Sequence, residues 1–248
     1  MERLRLPDLL TLGNLLSGLV ALSYTYQRAW GMVLVFVLVG AVCDLLDGAL
    51  ARLLKSPSAL GKELDSLSDL VTFGVVPAFA LYHYVKPLLA SLPYHPDARY
   101  LMVVVPFSLP LFAAWRLARF NIETASNESP FFSGMPTPFQ GLFWALWIYS
   151  EPKGFWLHPA MWGALIGLLG LLMVSRWPFL SLKKPRLVLS WVLIVAVWTG
   201  VSLYFFPLTA AIPLSALGYG LISGVAYARG GGKKGERPLQ DSNLRPSG

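Results

Sequence analysis

Val42–Asp69 reads VCDLLDGALARLLKSPSALGKELDSLSD, and it decides how the rest of the chain is understood. Four carboxylates, Asp44, Asp47, Asp65 and Asp69, sit inside or beside long apolar segments. The spacing predicts two helices joined at Ser56-Pro57-Ser58. On helices, residues three or four apart share a face, so Asp44 pairs with Asp47 and Asp65 with Asp69. A carboxylate in the middle of a bilayer costs about 2.5–3.5 kcal/mol on insertion scales. Four of them also repel one another. A doubly charged cation among them answers both problems, and hard cations such as Mg²⁺ prefer oxygen ligands. Paired divalent ions on carboxylates are an established means of driving phosphoryl-type displacement.

Composition sets the class. Of the 248 residues, 55% are hydrophobic and 13% charged, against about 25% charged in soluble domains. This is the balance of an integral membrane protein with one helical domain. Eight apolar segments are expected, at about 8–26, 30–54, 63–85, 100–120, 137–150, 159–175, 187–206 and 208–228. The last two meet at Phe206-Pro207, which fits a helical hairpin. Many of the nine Trp stand near segment ends, as in aromatic belts at a membrane interface. The N-terminal MERLRL runs straight into an apolar stretch with no small-residue cleavage site, so the first segment reads as an uncleaved span. The tail from Gly230 to Gly248 is polar and Gly-rich, and a transmembrane catalytic domain over 1–229 with a disordered cytoplasmic tail over 230–248 is expected.

Charge placement gives orientation. With the N-terminus in the cytoplasm, 16 of the 20 Lys and Arg residues fall on the cytoplasmic side and 4 (Arg28, Lys86, Arg99 and Lys153) on the other. Both termini are then cytoplasmic. The net charge of +7 comes from these flanking residues, which excludes nucleic acid as the expected partner. The second segment enters the cytoplasm just after Asp44 and Asp47, and the third leaves it just before Asp65 and Asp69. All four acids therefore belong near one interface, where a soluble nucleotide can reach them while lipid tails stay in the bilayer. Cys43 is the lone cysteine, so there is no internal disulfide. His83, His95 and His158 fall toward the opposite side and carry no site reading.

Gly48 follows Asp47 and leaves room either for a ligand at the backbone or for close helix packing. Arg52 can hold a phosphate bidentately or snorkel to the interface. Ser58 can cap the third helix or bond a ligand. The acids alone are also compatible with pairing to nearby Arg52, Lys55 and Lys62.

The full pattern is D-x-x-D-G-x-x-A-R, eight residues, then G-x-x-x-D-x-x-x-D, with Ala51 and Gly61 filling the remaining fixed positions. At about 5–7% per fixed residue, chance supplies it at about 10⁻¹⁰ per starting position, so accident is set aside. The pattern resembles the signature of the CDP-alcohol phosphotransferase family. That resemblance implies a six-helix core within the bundle of about eight transmembrane helices, and a homodimer. It implies that Asp44, Asp47, Asp65 and Asp69 bind two divalent ions (Mg²⁺ or Mn²⁺) and that Asp69 is the base that takes the acceptor's proton. It further implies that Gly48, Arg52 and Ser58 contact the CDP part of the donor.

Three further stretches resemble bacterial and archaeal phosphatidylserine synthases. They are Leu6–Asn14 (LPDLLTLGN), Arg116–Asn121 (RLARFN) and Phe132–Pro138 (FSGMPTP). In the last, Met135 replaces the usual Leu, and Phe139-Gln140 stand where small residues are common. This resemblance implies CDP-diacylglycerol and L-serine as substrates in the inner membrane, with Arg116, Arg119 and Asn121 at the acceptor and Asn14 at the donor or the amine. Arg116 and Arg119 share a helix face and can clamp a carboxylate, although glycerol 3-phosphate or another polyol would also want cations. A cation or solute transporter is the reading from another class. The clustering of the acids at one interface speaks against it, with Asp97 and Glu151 left in loops.

Overall fold

The computed structural model describes residues 4–54, 58–90, 99–100, 103–123, 131–150, 159–175 and 178–180. The expected seventh and eighth segments and the tail over 230–248 lie outside these residues, as do 55–57 of the turn after the second segment.

Helix α1 covers Leu6–Gln27 and α2 covers Trp30–Leu53. Pro7 sits in the first turn of α1, where its missing N–H costs nothing. The Asp8 carboxylate accepts from the Arg5 backbone N–H at 2.7 Å and closes that end. Arg28 ends α1 in the left-handed region (φ 55°). Its N–H bonds Thr25 O and that of Ala29 bonds Tyr24 O, so the chain reverses within two residues and α2 returns along α1. Helix α3 covers Ala59–Asp69, four residues earlier than the apolar run suggests, because Ser58 Oγ accepts from Gly61 N–H at 2.9 Å and starts a helix through polar sequence.

Directly after Asp69 the helix widens into a π segment, Leu70–Val75, before continuing as α4 over Val76–Ala90. The Val76 N–H bonds Val71 O, five residues back. Pro77 follows and has no N–H to give, so an undisturbed ladder was never available there. The remaining helices are α5 (Ser108–Glu123), α6 (Thr137–Tyr149) and α7 (Pro159–Val174). The described residues of 99–104 are helical too, and Pro106 breaks the expected 100–120 segment with a 3-10 turn, Val105–Phe107, before α5.

Among the described residues, three helices are long and apolar enough to span a membrane: Leu6–Gln27, Trp30–Leu53 and the continuous Ala59–Ala90, of 22, 24 and 32 residues. Helix α2 is the most peripheral of them. Its Val35, Leu38, Val39, Val42, Leu45 and Leu46 form an exposed apolar stripe, suited to hydrocarbon.

The π segment is the hub, packed by α1, α2, α5 and α6. Phe73 is fully buried there. A Cβ on Gly18 of α1 would lie 3.1 Å from Thr72 Cα, and one on Gly141 of α6 would lie 2.7 Å from Phe73 Cα. Only glycine allows either helix so close. At the far end from the acids, Trp30, Tyr84, Trp147 and Trp162 interlock edge-to-face or stacked. The packing is all-helical. Two three-residue strands, β1 (Phe131–Ser133) and β2 (Pro178–Leu180), form an antiparallel clip between the segments that precede α6 and follow α7.

Candidate active and metal site

The acids meet as the spacing predicts. Carboxylate oxygens of Asp44, Asp47 and Asp65 all lie within 4.8 Å of one another. Asp44 and Asp65 are close enough to hydrogen-bond, so α2 and α3 face each other through their carboxylates. Asp69 stands beside them, one turn along from Asp65, in electrostatic contact with Asp44 and Asp65.

Helix α1 holds two of the four. Thr11 Oγ1 donates to Asp47 Oδ2 at 2.6 Å, and Asn14 Nδ2 donates to Asp69 Oδ1 at 3.1 Å. Thr11 and Asn14 are three apart on one face, as their two targets require. The contact is reinforced in reverse, since Ser68 Oγ donates to Thr11 O (3.0 Å) and Thr72 Oγ1 to Asn14 O (3.1 Å). Asp8 is buried at the same end of α1, and a Cβ on Gly61 would lie 2.8 Å from its Oδ1. Gly61, a fixed position of the sequence pattern, is therefore what lets α1 reach the start of α3.

Asp65 Oδ1 is buried and has no hydrogen-bond partner. An orphaned carboxylate oxygen among two further carboxylates is the donor set of a hard divalent cation. The site fits a metal, and Asp44, Asp47 and Asp65, with Asp69 adjoining, are the residues that would hold it.

The predicted donor residues separate cleanly. A Cβ on Gly48 would meet only Arg52 Nη1, at an ordinary 3.6 Å. Among the described residues no neighbouring helix needs that glycine. The Arg52 guanidinium lies over it, exposed at the end of α2. Ser58 is engaged as the cap of α3 through its oxygen.

Of the predicted acceptor residues, one reaches the acids. Arg116 on α5 is 6% exposed and lies in electrostatic contact with Asp44, Asp65 and Asp69. Its Nη1 donates to Thr137 Oγ1 at 2.6 Å, and its Nε is buried without a partner. Arg119, three residues on, turns to Val174 O and Ser175 O and closes the end of α7. Asn121 Nδ2 donates to Ser66 Oγ (2.9 Å), while Asn121 O accepts from Lys62 Nζ. Those two tie α5 to α3 and α7, around the site.

Sequence reading missed Thr11, Asp8, Thr137 and Gln140 as parts of this region. The LPDLLTLGN and FSGMPTP stretches contain or adjoin all four, and that was the available signal. A neutral polar residue in an apolar run has no spacing signature of its own.

Comparison with known proteins agrees with this geometry. The chain is similar to a Helicobacter pylori protein named CDP-diacylglycerol–serine O-phosphatidyltransferase, 30% identical over 214 residues that cover 85% of this chain and 84% of that one. A Bacillus subtilis protein of the same name is 37% identical over 182 residues, 72% of this chain and 92% of that one. An archaetidylserine synthase from Methanothermobacter thermautotrophicus is 31% identical over 152 residues, 59% of this chain and 60% of that one. The profile of the CDP-alcohol phosphatidyltransferases matches residues 4–201, with the four acids, Arg52 and Arg116 all inside the matched span, and the chain belongs to that family.

Proposed function

We propose that this protein transfers the phosphatidyl group of CDP-diacylglycerol to the hydroxyl of L-serine, forming phosphatidylserine and releasing CMP. The observation that carries the choice of acceptor is Arg116. Among the described residues it is the guanidinium held at the acids. Lys62 is bonded to a backbone carbonyl and Arg119 spans two others. One buried guanidinium matches the single carboxylate of serine. The doubly charged phosphate of glycerol 3-phosphate would call for more. The Helicobacter pylori and Bacillus subtilis relatives, both named for serine transfer, support the same reading.

In this reading Gly48 and Arg52 receive the cytidine diphosphate, with the Ser58 hydroxyl proton available to it. Two divalent ions held by the four carboxylates would neutralise the pyrophosphate and polarise the phosphorus under attack. Asp69 takes the proton of the serine hydroxyl. Asn14, on Asp69 Oδ1, fixes the carboxylate so that its other oxygen faces the acceptor. The serine oxygen forms its bond to the diacylglycerol-bearing phosphorus, and the bond from that phosphorus to the bridging oxygen breaks. CMP leaves with the electron pair. Arg116 orients the acceptor through its carboxylate, held in turn by Thr137. The charge distribution supports a cytoplasm-facing site with both termini inside, and the family supports a homodimer.

The test is CMP release by detergent-purified protein with CDP-diacylglycerol, Mg²⁺ or Mn²⁺, and serine or glycerol 3-phosphate in parallel. Metal-dependent release with serine, lost in Asp69→Asn, is expected. Release with glycerol 3-phosphate alone would move the acceptor, and flux across proteoliposomes without nucleotide would favour a transporter.

A further inference from the structure

Gln140 is fully buried on α6, yet neither its Oε1 nor its Nε2 has a hydrogen-bond partner. Leaving a buried amide unpaired costs about 1–3 kcal/mol per group, so a polar occupant belongs beside it. Gln140 lies three residues after Thr137, on the same face of α6, and Thr137 holds Arg116. Arg116 Nε is a further buried, unpartnered group, as are Asn14 Oδ1 and Asp65 Oδ1 at the acids. Gly141, the next residue, rests on Phe73, one turn beyond Asp69. The residues on either side of Gln140 thus touch α5 at Arg116 and the π segment just beyond Asp69. Trp144 Nε1, a turn further along, is also unpartnered, but it is only a donor and could satisfy at most the amide oxygen.

We infer that Gln140 is a specificity-determining residue that recognises a zwitterionic amino alcohol beside Arg116. The inference rests on the proposed transfer to serine. A carboxamide offers a donor end and an acceptor end a short distance apart. A zwitterion needs both: Nε2 and Arg116 Nε donate to the carboxylate, and Oε1 accepts from the ammonium. A phosphorylated polyol has no ammonium for Oε1.

The experiment compares acceptors in the CMP-release assay at saturating CDP-diacylglycerol and Mn²⁺, using L-serine and 3-hydroxypropionate, which keeps the carboxylate and hydroxyl but lacks the amine. Wild-type protein is expected to favour serine about tenfold or more, the worth of one charge-assisted hydrogen bond. Gln140→Met keeps the volume and removes both polar ends. It is expected to raise the KM for serine about tenfold and to narrow the preference by a similar factor, with the KM for CDP-diacylglycerol unchanged. Equal losses with both acceptors, or an intact preference in Gln140→Met, would overturn the inference. Equal use of the two by wild-type protein would also overturn it, and needs no variant to fold. Turnover of glycerol 3-phosphate but not serine would fail the proposed function itself, a result distinct from serine turnover that ignores the amine.

Discussion

The two walls of the acid site are built differently. On the α1 side, Thr11, Ser68 and Thr72 each donate into a carboxylate or a main-chain carbonyl, and Asn14 gives its amide N–H to Asp69, so these donors are spent and the acceptor Asn14 Oδ1 is what stays open among them. On the α5–α6 side, Arg116 and Gln140 between them leave Nε, Nε2 and Oε1 unpaired in buried surroundings. A wall whose donors are spent on its own chain sets geometry. A wall that leaves buried donors open waits for something from outside the chain. The α1 wall thus reads as scaffold for Asp47 and Asp69, and the opposite wall as the surface that meets substrate.

The strongest test of that division is at the acids the scaffold holds. Asp69→Asn keeps the size and a partner for Asn14, and should lower the rate of CMP release about a thousandfold, the usual worth of a positioned base. A folded variant with nearly full rate would remove Asp69 from the chemistry. On the open wall, Arg116→Lys keeps the charge but loses the planar fork. Its KM for serine should rise about 10- to 100-fold while that for CDP-diacylglycerol holds. An equal rise for both substrates would make Arg116 part of the scaffold. On the closed wall, Thr11→Val should do the reverse, raising the Mn²⁺ concentration for half-maximal rate about tenfold with serine KM unchanged.

Two glycines sharpen the contrast in thermal unfolding. Gly141→Ala should cost about 1–3 kcal/mol, because its Cβ meets the Phe73 backbone. Among the described residues, Gly48→Ala meets an arginine tip alone. It should keep or gain up to about 1 kcal/mol of helix stability, while raising the KM for CDP-diacylglycerol. The smallest effect expected is from removing residues 230–248, which should leave the rate within about twofold, since the family match ends at residue 201.

Charge and hydropathy made much of this legible in advance. Intramembrane acids are costly enough that their positions had to mean something, so Asp44, Asp47 and Asp65 were found by spacing and meet in space. The α6 and α7 boundaries fell where apolar runs and prolines put them, at 137–149 and 159–174. Arg119 was read with Arg116 because they share a helix face. A shared face does not fix where a long side chain ends, and Arg119 found the open carbonyls of α7 instead. Gln140 looked like a departure from pattern, because burial and missing partners are properties of packing. The π segment was invisible for a related reason: hydrophobic periodicity averages over turns and hides one wide turn.

That wide turn acts as a phase shifter. Each α-helical residue advances the screw by about 100°, and a π segment absorbs one extra residue within an otherwise continuous helix. The half before it aims Asp65 and Asp69 at α1 and α2, and the half after it aims Leu81, Val85 and Leu89 into the core. Deleting one residue from Leu70–Val75 would restore a regular screw and turn one half against the other by about that angle. Either the acids would leave the site or the core would leave α4. The extra residue is what allows a single helix to serve a charged centre at one end and an apolar core at the other.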